Sequence, residues 1–148
     1  MTTFDFGYGP VPAHQHPRGG GWVADTARVE DSAYIGPSAQ VTGDARVTGD
    51  AWVSGNAQVT GNAQVSGNAQ VSGNAKIAKP SDYLLIGPIG SRAAFMTWTR
   101  SDNCIATGCF RGTVKEFLAA VRKTHGDNEH AKAYRAAVKF IRAMEKLA

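Results

Sequence analysis

Cysteine is scarce in this 148-residue chain, and long apolar runs and helical periodicity are missing from much of it. The two cysteines, Cys104 and Cys109, are an odd number of positions apart, so on one continuous strand they would face opposite sides. A break at Gly108 would still allow a bridge, but two reduced, partly buried thiols are the expectation. No apolar run is long enough to cross a bilayer, and the opening MTTFDFGYGP lacks the basic and apolar regions of a signal peptide. A cytoplasmic protein without a membrane partner is expected. Histidine is absent between Val23 and Ile77, and only His14, His16, His125 and His130 occur elsewhere.

What fills that histidine-free stretch is a repeat. One apolar residue returns every six positions: Val23, Val29, Ile35, Val41, Val47, Val53, Val59, Val65, Val71 and Ile77. Four positions after each of the first nine stands an alanine, from Ala27 to Ala75. A period of six fits neither the 3.6 of a helix nor a long strand, so the unit is a short strand plus a turn, stacked on copies of itself. In Ala57-Gln58-Val59-Thr60, alanine and valine share one side and the polar residues the other, as a half-buried strand requires. Pairs such as Gly43-Asp44, Gly55-Asn56 and Gly73-Asn74 tolerate the positive φ of a tight corner.

This pattern resembles the hexapeptide-repeat family. The resemblance implies a left-handed parallel β-helix with three hexads per coil, about three coils, usually a homotrimer, and ligands held in clefts between neighbouring prisms. The stretch GPVPAHQHPRGGGWV also resembles the opening of hexapeptide-repeat proteins encoded by phages and prophages, which would place this protein in a host cytoplasm.

Residues 1–22, rich in Gly and Pro but carrying Phe4, Phe6, Tyr8, Val11 and Trp22, read as an extended cap that covers the first coil or crosses onto a neighbouring subunit. His14 and His16 would share one side of an extended chain, where they could hold a metal or, with Arg18, a phosphate. With no further ligand cluster in view, bonds to nearby backbone are the favoured reading, and no metal or cofactor is assigned.

With three hexads per coil, residues eighteen apart stack. The outward columns of the repeat at 23–78, with Trp22 just before it, are then Arg28, Arg46, Gln64; Tyr34, Trp52, Gln70; and Trp22, Gln40, Gln58, Lys76. Tyr34 over Trp52 forms an aromatic platform and Arg28 over Arg46 a cationic one, together suited to a base or sugar ring with phosphates attached. The same residue types are enriched in subunit contacts, and that reading ranks ahead.

Residues 81–148 read as a small β-β-β-α-α domain, with strands Tyr83 to Ile89, Ala93 to Thr99 and Cys104 to Thr107. Thr113 and Glu116 form a capping box that opens a helix from Val114 to about Thr124, with Val114, Phe117, Leu118 and Val121 inward. Gly126 ends that helix, and Asp127 is the expected cap of a second, with Tyr134, Val138 and Ile141 inward. The turn from Gly108 to Thr113, carrying Arg111, has the makings of a phosphate site at a helix N-terminus, although a strand-to-helix connection satisfied by Thr113 ranks ahead.

Charge is uneven. Residues 1–80 carry five Lys or Arg against six Asp or Glu, and residues 81–148 carry eleven against six. Lys132, Arg135, Lys139, Arg142 and Lys146 line one stripe of the last helix, a surface a nucleotide or nucleic acid would feel first.

The leading functional expectation is a homotrimer that captures a small anionic ligand, such as a host signalling nucleotide, at inter-subunit clefts. Its candidate ligand residues are His14, His16, Arg18, Trp22, Arg28, Tyr34, Arg46, Trp52, Arg111 and Thr113. An acyltransferase-like enzyme is weaker, because the histidine that the resemblance would place near the coils is missing and no loop interrupts the hexads. A structural or virion-associated role is weaker too, since segments at both ends would block end-to-end growth.

Overall fold

The computed structural model describes residues 2–108 and 110–147, so the expectation for the Cys104–Cys109 pair lies outside the described residues. The chain is mainly β and divides into two compact units, one ending at Asp82 and one beginning at Tyr83.

In the first unit the hexads form a β-solenoid of about three coils, with strands from β3 (Trp22–Ala24) to β12 (Lys76–Ile77). Three parallel sheets make its sides: β3-β6-β9-β12, where β6 is Gln40–Val41 and β9 Gln58–Val59; β4-β7-β10 (Arg28–Val29, Arg46–Val47, Gln64–Val65); and β5-β8-β11 (Tyr34–Ile35, Trp52–Val53, Gln70–Val71). Stacked residues are eighteen apart, as in the pairs Arg28 with Arg46 and Gln64 with Arg46. Each coil donates to the next through its backbone: Arg46 N–H reaches Ala63 O at 2.9 Å and Thr48 N–H reaches Val65 O at 2.9 Å. The hexad valines, isoleucines and alanines are buried apart from Val29, and each fully buried valine stabilises by about 1.5–3 kcal/mol.

From Gly43 to Gly73 the corners repeat as glycines every six residues, each with positive φ. Gly55 has φ +63°, and a Cβ there would lie 2.8 Å from the amide nitrogen of Gly73. Glycine alone satisfies both conditions.

β1 (Thr3–Asp5) and β2 (Pro10–Gln15) continue the first of these sheets in antiparallel fashion, β2 pairing with β3. Residues 16–21 then cross Ile35, whose carbonyl accepts from Gly21 N–H at 2.9 Å and whose N–H donates to Arg18 O at 3.0 Å. Of the two expectations for this segment, the chain here covers its own first coil. At the other end, Pro80–Asp82 makes a 3₁₀ turn in which the Asp82 carboxylate accepts from Ala78 and Lys79 N–H at 2.8 and 3.2 Å. These bonds hold Ser81 and Asp82 with the solenoid, two residues beyond the expected start of the C-terminal part.

The second unit is an antiparallel sheet of β13 (Tyr83–Ile89), β14 (Ala94–Thr99), β15 (Cys104–Thr107) and β16 (Phe110–Thr113), with helices α1 (Val114–His125) and α2 (Glu129–Glu145). Met96, Trp98 and Ile105 share its core with Phe117, Val121, Val138 and Ile141, while Leu118 and Tyr134 are only partly buried. The fourth strand corrects the expectation of three: Phe110 to Thr113 pairs residue by residue with β15, so this segment is part of the sheet. Ala93 lies outside β14 because its φ of +48° ends the strand geometry. The second helix is capped by Asn128, whose side chain accepts from Ala131 N–H at 3.0 Å; Asp127 pairs with Arg135.

Candidate functional site

The register puts Tyr34 directly beside Trp52, and the rings stack with centroids 3.9 Å apart at 13°. Trp52 keeps 42% of its surface exposed. Arg18 completes the patch. Its guanidinium lies 5.8 Å from the Trp52 ring centroid and donates to Ser32 O. The local chain explains its position: Gly19 has φ +107°, and a Cβ there would sit 2.2 Å from Ile35 O, so glycine lets the loop press onto Ile35 and hold Arg18 above the ring.

Arg28 and Arg46 stack as expected but belong to a different sheet, β4-β7-β10, from the one that bears Tyr34 and Trp52. Within one chain the cationic and aromatic columns therefore stand on separate sides, and Arg18 is the cation that accompanies the aromatic stack. Trp22 heads the third column, and its ring is stacked by Phe4 at 4.7 Å and 14°.

The two histidines part company. His14 is half exposed and its Nδ1 lies 2.8 Å from Asp25 Oδ1, whereas His16 is buried with Nε2 donating to Ala33 O at 2.8 Å. The HxH pair is not a shared ligand site: β2 ends at Gln15, and the turn that follows sends His16 inward.

The suggested phosphate turn is also accounted for. Thr113 caps α1 by accepting from Glu116 N–H at 3.1 Å, and Glu116 accepts from Thr113 N–H at 2.9 Å. Donation from the Thr113 N–H, and then from its side chain, holds the Glu116 carboxyl below its ordinary range. Arg111 is paired with Asp102 at 2.7 Å. Burial, reinforced by the Asp102 carboxylate, pushes the Cys104 thiol up, the opposite of what a reactive thiolate needs.

A scan of family models, curated proteins and solved structures finds no match to this chain.

On the basic stripe, Arg135 is engaged by Asp127 and by Gly126 O. Lys139 and Arg142 line a cavity of about 630 Å³ between α1 and α2, floored by Leu118 and Val138 and completed by Arg122. Arg122 was missed by sequence reasoning because it stands on the other helix; its place in the last turn of α1 was the available signal. No helix of the described residues is long and apolar enough to cross a membrane, and no group of three or more His, Cys, Asp or Glu among them could hold a metal.

Proposed function

We propose that this protein is a homotrimeric left-handed β-helix that captures a small anion of nucleotide type in clefts between subunits. The observation that carries the reading is the exposed Trp52 ring, backed by Tyr34 at 3.9 Å and flanked by the Arg18 guanidinium at 5.8 Å. A nucleobase stacks on such a ring for about 1–3 kcal/mol, and a neighbouring guanidinium takes the phosphate in a two-pronged grip. Neither contact suffices alone, since phosphate contacts at a surface are screened by physiological salt.

The separation of the columns supports the trimer reading. A side bearing exposed Trp52 gains by burial against a neighbour, and the Arg28–Arg46 side of the next subunit would bring a second cationic row to the same cleft. The left-handed coil and a phage origin come from the resemblance of the hexads and of the opening segment, and a phage product of this kind would sequester a host signalling nucleotide. Catalysis is disfavoured because His16 is buried and bonded to Ala33 O, and His14 is paired with Asp25. The cavity lined by Arg122, Lys139 and Arg142 serves as a basic surface that draws anions, nucleic acid included, toward the molecule.

The test is direct. Protein purified from producing cells is denatured and the supernatant analysed by mass spectrometry. The parent should release a nucleotide-type anion in near-stoichiometric amount and Trp52→Ala should release little. Equal release from both proteins would contradict the proposal.

A further inference from the structure

Sequence reasoning assigned nothing to a second cavity, about 220 Å³, in the C-terminal unit. Four elements meet there: the β13–β14 turn brings Ser91 and Arg92, the end of β15 brings Thr107 and Gly108, the last turn of α1 brings Thr124 and His125, and α2 brings Tyr134. Its volume is below the roughly 300 Å³ at which pockets for drug-sized ligands begin, so a small ligand fits best.

The backbone is shaped around it. Gly90 has φ +81°, and a Cβ there would fall 1.8 Å from Tyr134 Oη, so only glycine lets the turn pass against the phenol. A Cβ on Gly108 would lie 3.9 Å from Arg92 Nη1, which places the guanidinium beside the end of β15. Tyr134 is held edge-on by Phe117 at 5.4 Å and meets the His125 ring at 5.9 Å, and His125 in turn meets His130 at 5.5 Å. The Thr107 hydroxyl donates to Phe95 O at 3.0 Å and acts as wall. The hydroxyls of Ser91, Thr124 and Tyr134 and the guanidinium of Arg92 are not engaged by other described residues.

Donors and one full positive charge thus line the same cavity, and among the described residues no carboxylate does. The carbonyl end of α1 opposes an anion with about half a unit of negative charge, which the whole charge and forked donors of Arg92 outweigh. We propose that this cavity binds a small oxyanion, in particular a phosphoryl group, with Arg92 as its principal partner and Ser91, Thr124 and Tyr134 as neutral donors. The site is independent of the Trp52 patch.

Inorganic phosphate and ribose 5-phosphate, titrated separately into the full chain, test it, with the His125 side-chain NMR signals as the readout. Saturable shifts are expected, weakened by about ten- to a hundredfold in Arg92→Gln, the loss of one charge-assisted bond, and unchanged in Trp52→Ala. Stronger binding of ribose 5-phosphate assigns a phosphorylated metabolite, and equal binding assigns free phosphate; both support the site. Ser91→Ala, a surface change, should weaken binding less, and it provides the readout if Arg92→Gln does not fold. No saturable shift with either probe overturns the proposal. So does parent-like binding by folded Arg92→Gln or, where that variant does not fold, by Ser91→Ala.

Discussion

Tyr34 and Trp52 stand eighteen residues apart in sequence and 3.9 Å apart as rings, because β5 and β8 pair them directly in consecutive coils. One repeat length therefore builds both the core and the surface: the step that stacks Val53 on Ile35 inside stacks the two aromatics outside.

Corner glycines should be intolerant of any side chain. Gly55→Ala would force a methyl to 2.8 Å from Gly73 N at a φ of +63°, costing about 1–2 kcal/mol for the backbone alone and more for the clash. Gln64→Glu, on the exposed side of β10, should change stability by less than about 0.5 kcal/mol. Urea denaturation of both variants decides this, and equal midpoints would refute the corner account.

His14 and His16 should differ sharply. Removing the buried His16 ring leaves Ala33 O without its donor, so His16→Ala should cost about 1–3 kcal/mol. His14→Ala loses an exposed pair with Asp25 and should cost no more than about 1 kcal/mol. Thermal melts rank the two, and the reverse order would show that the turn after β2 is misplaced.

At the start of α2, Asn128→Ala should destabilise by about 0.5–2 kcal/mol through the lost bond to Ala131 N–H. Asp127→Ala should cost less, because the Asp127 carboxylate is almost wholly exposed. Chemical denaturation followed by helical circular dichroism checks the order.

The capping box sets a pH dependence. The Glu116 carboxyl is held below its ordinary value when folded, so its contribution to stability is complete above the unfolded value and is lost as pH falls through the lower, folded one. Parent and Glu116→Gln should therefore converge in melting temperature as the pH falls below the ordinary glutamate value of about 4. A gap that stays constant from neutral pH downward would contradict this.

The solenoid was legible because a six-residue period leaves few alternatives, and the stacked columns follow from it by arithmetic; Arg46 beside Arg28 and Gln64 is one example. Both helices were legible through Thr113, Glu116 and Gly126. The fourth strand was not, because Gly108 and Gly112 in so short a stretch read as a loop, and pairing with β15 is a non-local fact. Arg18 was named as an ally of the histidines, yet its position beside Trp52 depends on how Gly19 meets Ile35, which no local pattern encodes. Arg111 read as available for phosphate only because its partner Asp102 sits across a turn and a strand.

Calorimetry against a panel of mono-, di- and cyclic nucleotides at two salt concentrations tests the proposal that ring and cation act together at Trp52 and Arg18. The parent should bind at least one nucleotide. Trp52→Ala should weaken that binding by about 1–3 kcal/mol with the salt dependence kept, and Arg18→Gln should weaken it with the salt dependence reduced. No heat from any nucleotide with the parent, or identical isotherms for parent and Trp52→Ala, would contradict the account.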